Sequence, residues 1–222
     1  MKKIFSICII TALAILLHTN ASAEIIFSAK SDSRNLIALT FDDGPHPGRT
    51  PEILDILDKY NIKATFFLVG QNIDYYPQTA KAILDHGHEI GNHTYSHKVL
   101  DKCTKSEIEY ELNKFNNSLS AISDYKATLM RPPCGSISET LKNTMSVNNT
   151  DIILWSIDTK DWAHTDYMTI ANNVIENAES GDIILMHDFI SGKSPTPESL
   201  NIIIPELLKR NFTFVTVSEL LK

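Results

Sequence analysis

The sequence predicts an α/β fold, a single-domain distorted (β/α) barrel with about seven parallel strands, and three observations predict it. Strand-like apolar runs alternate with amphipathic helical stretches along nearly the whole chain. The strand runs are almost continuously apolar, as in Ile152-Ile153-Leu154-Trp155, which marks strands buried on both faces. Finally, Asp42-Asp43, His93 with His97, Arg131, Asp158 and His187 each follow a different strand end. A closed barrel brings several strand ends to one mouth, whereas an open sheet gathers ligands at a single switch point.

At the start of the chain, Met1-Lys2-Lys3 precedes an apolar run over residues 4–17, a polar break at His18-Thr19-Asn20 and the small residues Ala21-Ser22-Ala23. This pattern predicts a signal peptide over residues 1–23, since the apolar run is shorter than the roughly 20 residues a membrane span needs. The protein is therefore expected to be secreted, periplasmic or held in the cell envelope, with one catalytic domain over residues 24–222. Without Lys2 and Lys3 that domain has 18 Lys and Arg against 27 Asp and Glu, a formal charge of −9. This balance excludes nucleic acid and an anionic membrane as natural partners and leaves a neutral polymer open. Two cysteines remain, Cys103 and Cys134, too few for a disulfide framework.

Residues 36–41 read as a buried strand, and Thr50-Pro51 then opens a helix with Ile53, Leu54, Ile56 and Leu57 as its apolar stripe. A second strand covers residues 64–69, a helix covers residues 77–86 until Gly87 ends it, and a short third strand at residues 88–91 leads into His93. Thr104-Lys105-Ser106-Glu107 forms a capping box before a long helix carrying Ile108, Leu112, Phe115, Leu119 and Ile122. Strands follow at residues 129–131, 152–157, 183–186 and 212–217, with helices near residues 138–147, 166–177 and 197–210 between them. The longest loop, residues 189–196, falls on the same rim as the polar motifs.

Those motifs carry the chemistry. Histidines four apart lie on one side of a helical turn, so His93 and His97 can reach one ion. A carboxylate from a second segment completes a two-histidine, one-carboxylate face with open positions for water and substrate. Asp42 and Asp43 alternate across a strand end, so one of them points at the ion and the other is free to act as a base.

At these residues the chain resembles the polysaccharide deacetylase family, the NodB-homology domain of carbohydrate esterase family 4. The resemblance runs from Thr40 to about Leu221 and rests on five motifs in order: Thr40-Phe41-Asp42-Asp43-Gly44, His93-Thr94-Tyr95-Ser96-His97, Arg131-Pro132-Pro133-Cys134-Gly135, Asp158-Thr159-Lys160-Asp161-Trp162 and Leu185-Met186-His187-Asp188. It implies that Asp43, His93 and His97 hold one divalent metal, with zinc ahead of cobalt, manganese or nickel. It also implies that Asp42 is the general base and His187 the general acid. Arg131 and Asp158 are implied to form a buried charge network, Trp162 and Leu185 to wall the acetyl pocket, and the Cys134 backbone N–H to receive the oxyanion. The substrate class implied is an acetylated amino-sugar polysaccharide, with peptidoglycan ahead of chitin, cleaved by a monomer. Cys134 departs from the family, which usually has an aromatic residue there, and the substitution bears on the shape of the pocket.

Blander readings apply to several residues. Asp161 and Asp188 are equally well read as solvated loop acids, His86 and His88 as turn and surface residues, and Trp155 as core. Competing functions are an O-acetyl esterase on xylan, a catalytically silent glycan-binding barrel and a non-haem iron oxygenase. The last usually presents its ligands from an antiparallel double sheet, which the strand and helix alternation does not resemble.

Overall fold

Strand β2 (Leu36–Asp42) is buried at all seven positions, because both of its faces are covered. Ile37, Leu39 and Phe41 join the core beneath the surrounding helices, while Leu36 and Ala38 join a second cluster with Phe67, Leu129, Ile153 and Ile183. This alternation, apolar on one side and small or polar on the other through Ala38, Thr40 and Asp42, carries a line of side chains through the middle of the molecule to the mouth of the barrel.

The computed structural model describes residues 23–29 and 34–222. The expected signal peptide therefore lies outside the described residues except for Ala23. Among the described residues nine short strands form one sheet: β1 (Ile25–Ile26), β2, β3 (Thr65–Leu68), β4 (Glu89–Asn92), β5 (Leu129–Met130), β6 (Asp151–Ile153), β7 (Ile157–Asp158), β8 (Ile183–His187) and β9 (Thr213–Phe214). Their order is β1-β6-β5-β4-β3-β2-β8-β7, with β9 also on β2, and every strand pair is parallel. The expected barrel is thus present in distorted form.

The expected strand over residues 152–157 is two strands, β6 and β7, which lie near opposite ends of the ladder. Leu154 to Ser156 connect them, and the two ends of the ladder also meet at an antiparallel bridge between Ser28 and Asp182, where the Ala29 N–H donates to the Gly181 carbonyl at 2.8 Å. The interruption has a cause in the interior. Arg131 Nε and Nη2 donate to the Ile153 and Leu154 carbonyls at 3.3 and 2.8 Å, taking acceptors that a continuous ladder would otherwise use. This split, together with the unanticipated β1, raises the strand number from seven to nine.

Helices α1 (Arg49–Lys59), α2 (Gly70–Tyr75), α3 (Pro77–Asp85), α4 (Lys105–Ser120), α5 (Glu139–Val147), α6 (Tyr167–Asn177) and α7 (Thr196–Lys209) surround the sheet. The α1 stripe buries Ile53, Leu54, Ile56 and Leu57 as expected, and the Thr104–Glu107 capping box forms at the start of α4. A short final helix, α8 (Val217–Leu220), replaces the end of the expected last strand and packs into the interior cluster with Ala38 and Phe67. Glu89 fixes it there, accepting from the Ser218 N–H at 3.2 Å and from the Ser218 hydroxyl, and from Thr65 Oγ1 at 2.7 Å. Among the described residues no helix is long and apolar enough to cross a membrane.

Candidate metal centre and active site

The mouth of the barrel is built upward from Arg131, which is fully buried. Its guanidinium lies 4.2 Å from the centroid of the Phe67 ring. Its Nη1 donates to Thr40 Oγ1 at 2.7 Å and to Asp42 Oδ1 at 2.8 Å. A buried guanidinium needs such partners, since burial pulls it below its ordinary pKa and only the Asp42 carboxylate offsets that cost. The expected partnership of Arg131 with Asp158 is therefore corrected: Arg131 holds Asp42. Asp158, at the end of β7, lines the cavity and accepts from the Lys160 N–H at 2.9 Å.

Asp42 ends β2 and the chain turns at Asp43, whose φ of 76° swings its carboxylate to a different side. Asp43 Oδ1 then lies 3.3 Å from His93 Nε2 and 3.0 Å from His97 Nε2. Asp42 Oδ2 remains 3.8 Å from His93 Nε2. His93 Nδ1 is 2.7 Å from the Arg131 carbonyl, which can only accept, so the ring proton sits on Nδ1 and Nε2 presents a lone pair. Asp43 Oδ1 is likewise buried and receives no hydrogen bond among the described residues. An anionic oxygen facing the His93 lone pair calls for a cation between them. Tetrahedral zinc with bonds of 2.0–2.1 Å separates its ligand atoms by about 3.3 Å, close to the spacings found here. Asp43, His93 and His97 thus form a metal site by donor type and by distance.

The histidine pair does not lie on a helical turn, as its spacing suggested. Thr94 and His97 have φ of 65° and 58°, and the segment is an irregular loop after β4. It is fastened from two sides. Gly70 and Gln71, at the start of α2, donate their N–H groups to the Thr94 and Tyr95 carbonyls at 3.0 and 2.8 Å. Buried Glu111 on α4 accepts from the Tyr95 and Ser96 N–H groups at 2.9 and 2.8 Å and from Ser96 Oγ at 2.8 Å. Sequence reasoning missed Glu111, yet it left a signal: a carboxylate three residues after Ile108 and four before Phe115, inside an apolar stripe.

His187 ends β8, directly beside Asp42 on the neighbouring strand. Asp161, undecided from sequence, is completely buried in a 3-10 turn and binds the His187 ring Nδ1 at 2.8 Å through Oδ1. Its Oδ2 accepts from the His187 N–H and from Thr196 Oγ1, both at 2.7 Å. Burial alone would lower the His187 pKa, but the Asp161 hydrogen bond and charge, with Asp42 and Asp43 nearby, lift it to about 9. With Nδ1 committed to Asp161, Nε2 is the nitrogen left for other chemistry.

A cavity of about 450 Å³ is lined by Asp42, Asp43, His93, His97, Cys134, Trp155, Asp158, Trp162, Leu185 and His187. All ten of the expected site residues except Arg131 line it, and Arg131 lies beneath, holding Asp42. Trp155, read from sequence as core, is a half-buried wall of this cavity. Cys103 is buried and Cys134 exposed, and both are free thiols. His88, expected at the surface, is buried; its Nδ1 accepts the Ala64 N–H, and burial pulls its pKa down to about 4. Asp188 is also buried, accepting from Thr50 Oγ1 at 2.5 Å, and burial raises it to about 7.

A curled parallel barrel whose mouth joins a two-histidine, one-carboxylate face to a second carboxylate and an Asp-held imidazole defines a metal-dependent hydrolase class. The sequence profile of the polysaccharide deacetylase family matches residues 29–152, and the chain belongs to that family. It is 39% identical over 196 residues to a peptidoglycan-N-acetylglucosamine deacetylase of Bacillus cereus, covering 86% of this chain and 90% of that protein. The crystal structure of the Bc1960 peptidoglycan N-acetylglucosamine deacetylase superposes with a TM-score of 0.86 at 38% identity, covering 89% of this chain and 92% of that one. A family 4 acetyl xylan esterase of Clostridium thermocellum, solved with a cobalt ion, has a TM-score of 0.77 at 38% identity, covering 83% and 89% of the two chains.

Proposed function

We propose that the protein is a metal-dependent hydrolase that removes N-acetyl groups from N-acetylglucosamine-containing polysaccharide, with peptidoglycan as the first substrate. The observation that carries this reading is the convergence of Asp43 Oδ1 and the His93 and His97 Nε2 atoms, with Asp42 beside His93 and His187 next to Asp42 on the neighbouring strand. The likeness to peptidoglycan deacetylases supports the substrate class. A divalent cation held by Asp43, His93 and His97, zinc by preference for two nitrogens and one oxygen, would polarise the acetyl carbonyl and lower the pKa of water.

The chain's own residues do the rest. Asp42 has Oδ1 fixed by Arg131, so Oδ2 faces the ligand cluster and takes the proton from the attacking water. His187, protonated at neutral pH by its raised pKa, gives its Nε2 proton to the departing amine. Acetate and the free amino sugar leave, and the proton gained by Asp42 restores His187. The Cys134 backbone N–H takes the oxyanion, while Trp162 and Leu185 confine the acetyl group. With residues 1–23 as a signal peptide, a monomer acts on the cell wall outside the cytoplasm.

Release of acetate from peptidoglycan and from chitopentaose tests this reading. Asp42→Asn is expected to lower the rate at least 100-fold with metal content unchanged, and His93→Ala to lose both. Full activity in either variant would refute the assignment. The acetyl xylan esterase likeness favours a second reading, an ester in place of the amide, and a rate on acetylated xylan exceeding that on both amide substrates would select it.

A further inference from the structure

Behind the histidine loop, on the outer side of the barrel, a polar cavity of about 210 Å³ opens between α4 and the turn joining α5 to β6. It shares no lining residue with the catalytic cavity. Side chains alternate along β4, so Asn92 faces the same way as Ile90, which lies in the core beneath the helices, while His93 faces the mouth. Asn92 is only 5% exposed and forms part of the cavity lining. Its Oδ1 accepts from the Thr94 N–H at 2.7 Å, whereas its Nδ2 donates to no group among the described residues. Buried amide donors are rarely left unpaired, and this one calls for an acceptor brought into the cavity from outside.

The rest of the lining limits what that acceptor can belong to. Asn113 and Asn116 project from α4, and their side chains are committed to no partner among the described residues. On the opposite wall Asn148 spends its Nδ2 on the Thr144 carbonyl at 2.7 Å, which leaves its Oδ1 to accept. Leu112 and Ala127 add a small apolar patch. The one charged group, Glu109, stands 3.6 Å from Lys105. Amides that donate and accept, a methyl-sized apolar patch and a balanced charge suit a neutral acetamido group with hydroxyls beside it better than an anion or a cation.

We propose that this cavity is an effector site for an acetamido sugar, separate from the catalytic cavity. The acetyl carbonyl accepts from Asn92 Nδ2, the methyl lies against Leu112 and Ala127, and Asn113, Asn116 and Asn148 bond the hydroxyls. Asn92 also ties the site to the metal loop, because its Oδ1 holds Thr94, which stands between His93 and His97 with a φ of 65°. A ligand that fixes the Asn92 amide fixes this loop, so sugar and metal each favour the binding of the other. The lining of the cavity carries this site independently of the reaction at the metal.

Backbone amide resonances of residues 109–116 and 148–150, followed while the folded protein is titrated with N-acetylglucosamine, read the site. They are expected to shift together and saturate, and to stay still with glucose, which lacks the acetamido group. Asn113→Ala combined with Asn116→Ala keeps good helix formers on α4 and is expected to weaken the titration about tenfold. Zinc affinity, measured by competition with a chelating dye, is expected to rise about fivefold in wild type with the sugar present and by less in the double variant. Resonances that do not move show that water alone serves Asn92 and overturn the site, and equal shifts with glucose or an unchanged titration in the double variant overturn it as well. A zinc effect of equal size in both proteins belongs to sugar in the catalytic cavity and overturns the link to the metal loop. None of these results depends on acetate release, which tests the deacetylase reading separately.

Discussion

At the residue scale, two carboxylates do different things to three imidazoles. Asp43 sets an oxygen beside His93 Nε2 and His97 Nε2 as the third donor atom of a metal site, whereas Asp161 binds the His187 ring Nδ1 and keeps that ring charged. The raised His187 pKa fixes the sign of a pH effect: the acid is charged below about 9 and lost above it, so the rate falls on the alkaline side. A cation held by Asp43 opposes the rise, which puts the alkaline limb of the loaded enzyme below 9. Asp161→Asn removes the interaction that lifts His187 against burial. Its alkaline limb is expected to move to lower pH by roughly one unit or more, read from a profile of kcat/KM against pH. An unmoved limb would show that His187 is not the group titrating. The partners of these residues were only partly legible in the sequence. Asp42, Asp43, His93, His97 and His187 stand in motifs, but pairing across 26 residues, as between Asp161 and His187, depends on the curl of the sheet. That curl also gives Arg131 to Asp42 rather than to Asp158.

At the element scale, the histidine loop and the interior packing matter most. The loop after β4 adopts left-handed backbone at Thr94 and His97, a conformation that costs non-glycine residues about 1–2 kcal/mol each and holds only when the surroundings fix it. Glu111 supplies that fixing through three hydrogen bonds. Glu111→Ala is expected to weaken metal binding 10- to 100-fold, measured by competition with a chelating dye, and Glu111→Gln to recover most of it by keeping an acceptor oxygen. Equal affinity in wild type and Glu111→Ala would remove Glu111 from the support of the site. Beneath the loop, a Cβ at Gly91 would fall 2.4 Å from the Phe67 ring on which Arg131 rests. Gly91→Ala is therefore expected to lower stability by about 1–3 kcal/mol, seen as a lower denaturant midpoint, and to reduce activity by disturbing Arg131. The helical reading of His93 and His97 failed because spacing alone does not distinguish a turn of helix from a loop held by outside carboxylates and amides.

At the scale of the whole molecule, the alternation of apolar runs and amphipathic helices made the barrel legible, since strands covered on both faces must be apolar throughout. The division of the chain at Leu154 to Ser156 was not legible, because its cause is a guanidinium 22 residues earlier in the sequence taking the carbonyls there. The final helix was hidden for a similar reason. Val217 and Leu220 fit a strand as well as a plug, and only Thr65 and Glu89 beneath them decide. Together these interior contacts carry one line of residues from α8 through Phe67 and Arg131 to Asp42, so the mouth of the barrel is held by its core. The most direct measurement is to strip the protein with a chelator, restore zinc in steps and follow acetate release from peptidoglycan against bound metal. No activity in the stripped protein, rising linearly to a plateau at one equivalent of zinc, is the expected result. Undiminished acetate release from the stripped protein, or no uptake of metal by the folded chain, would contradict it.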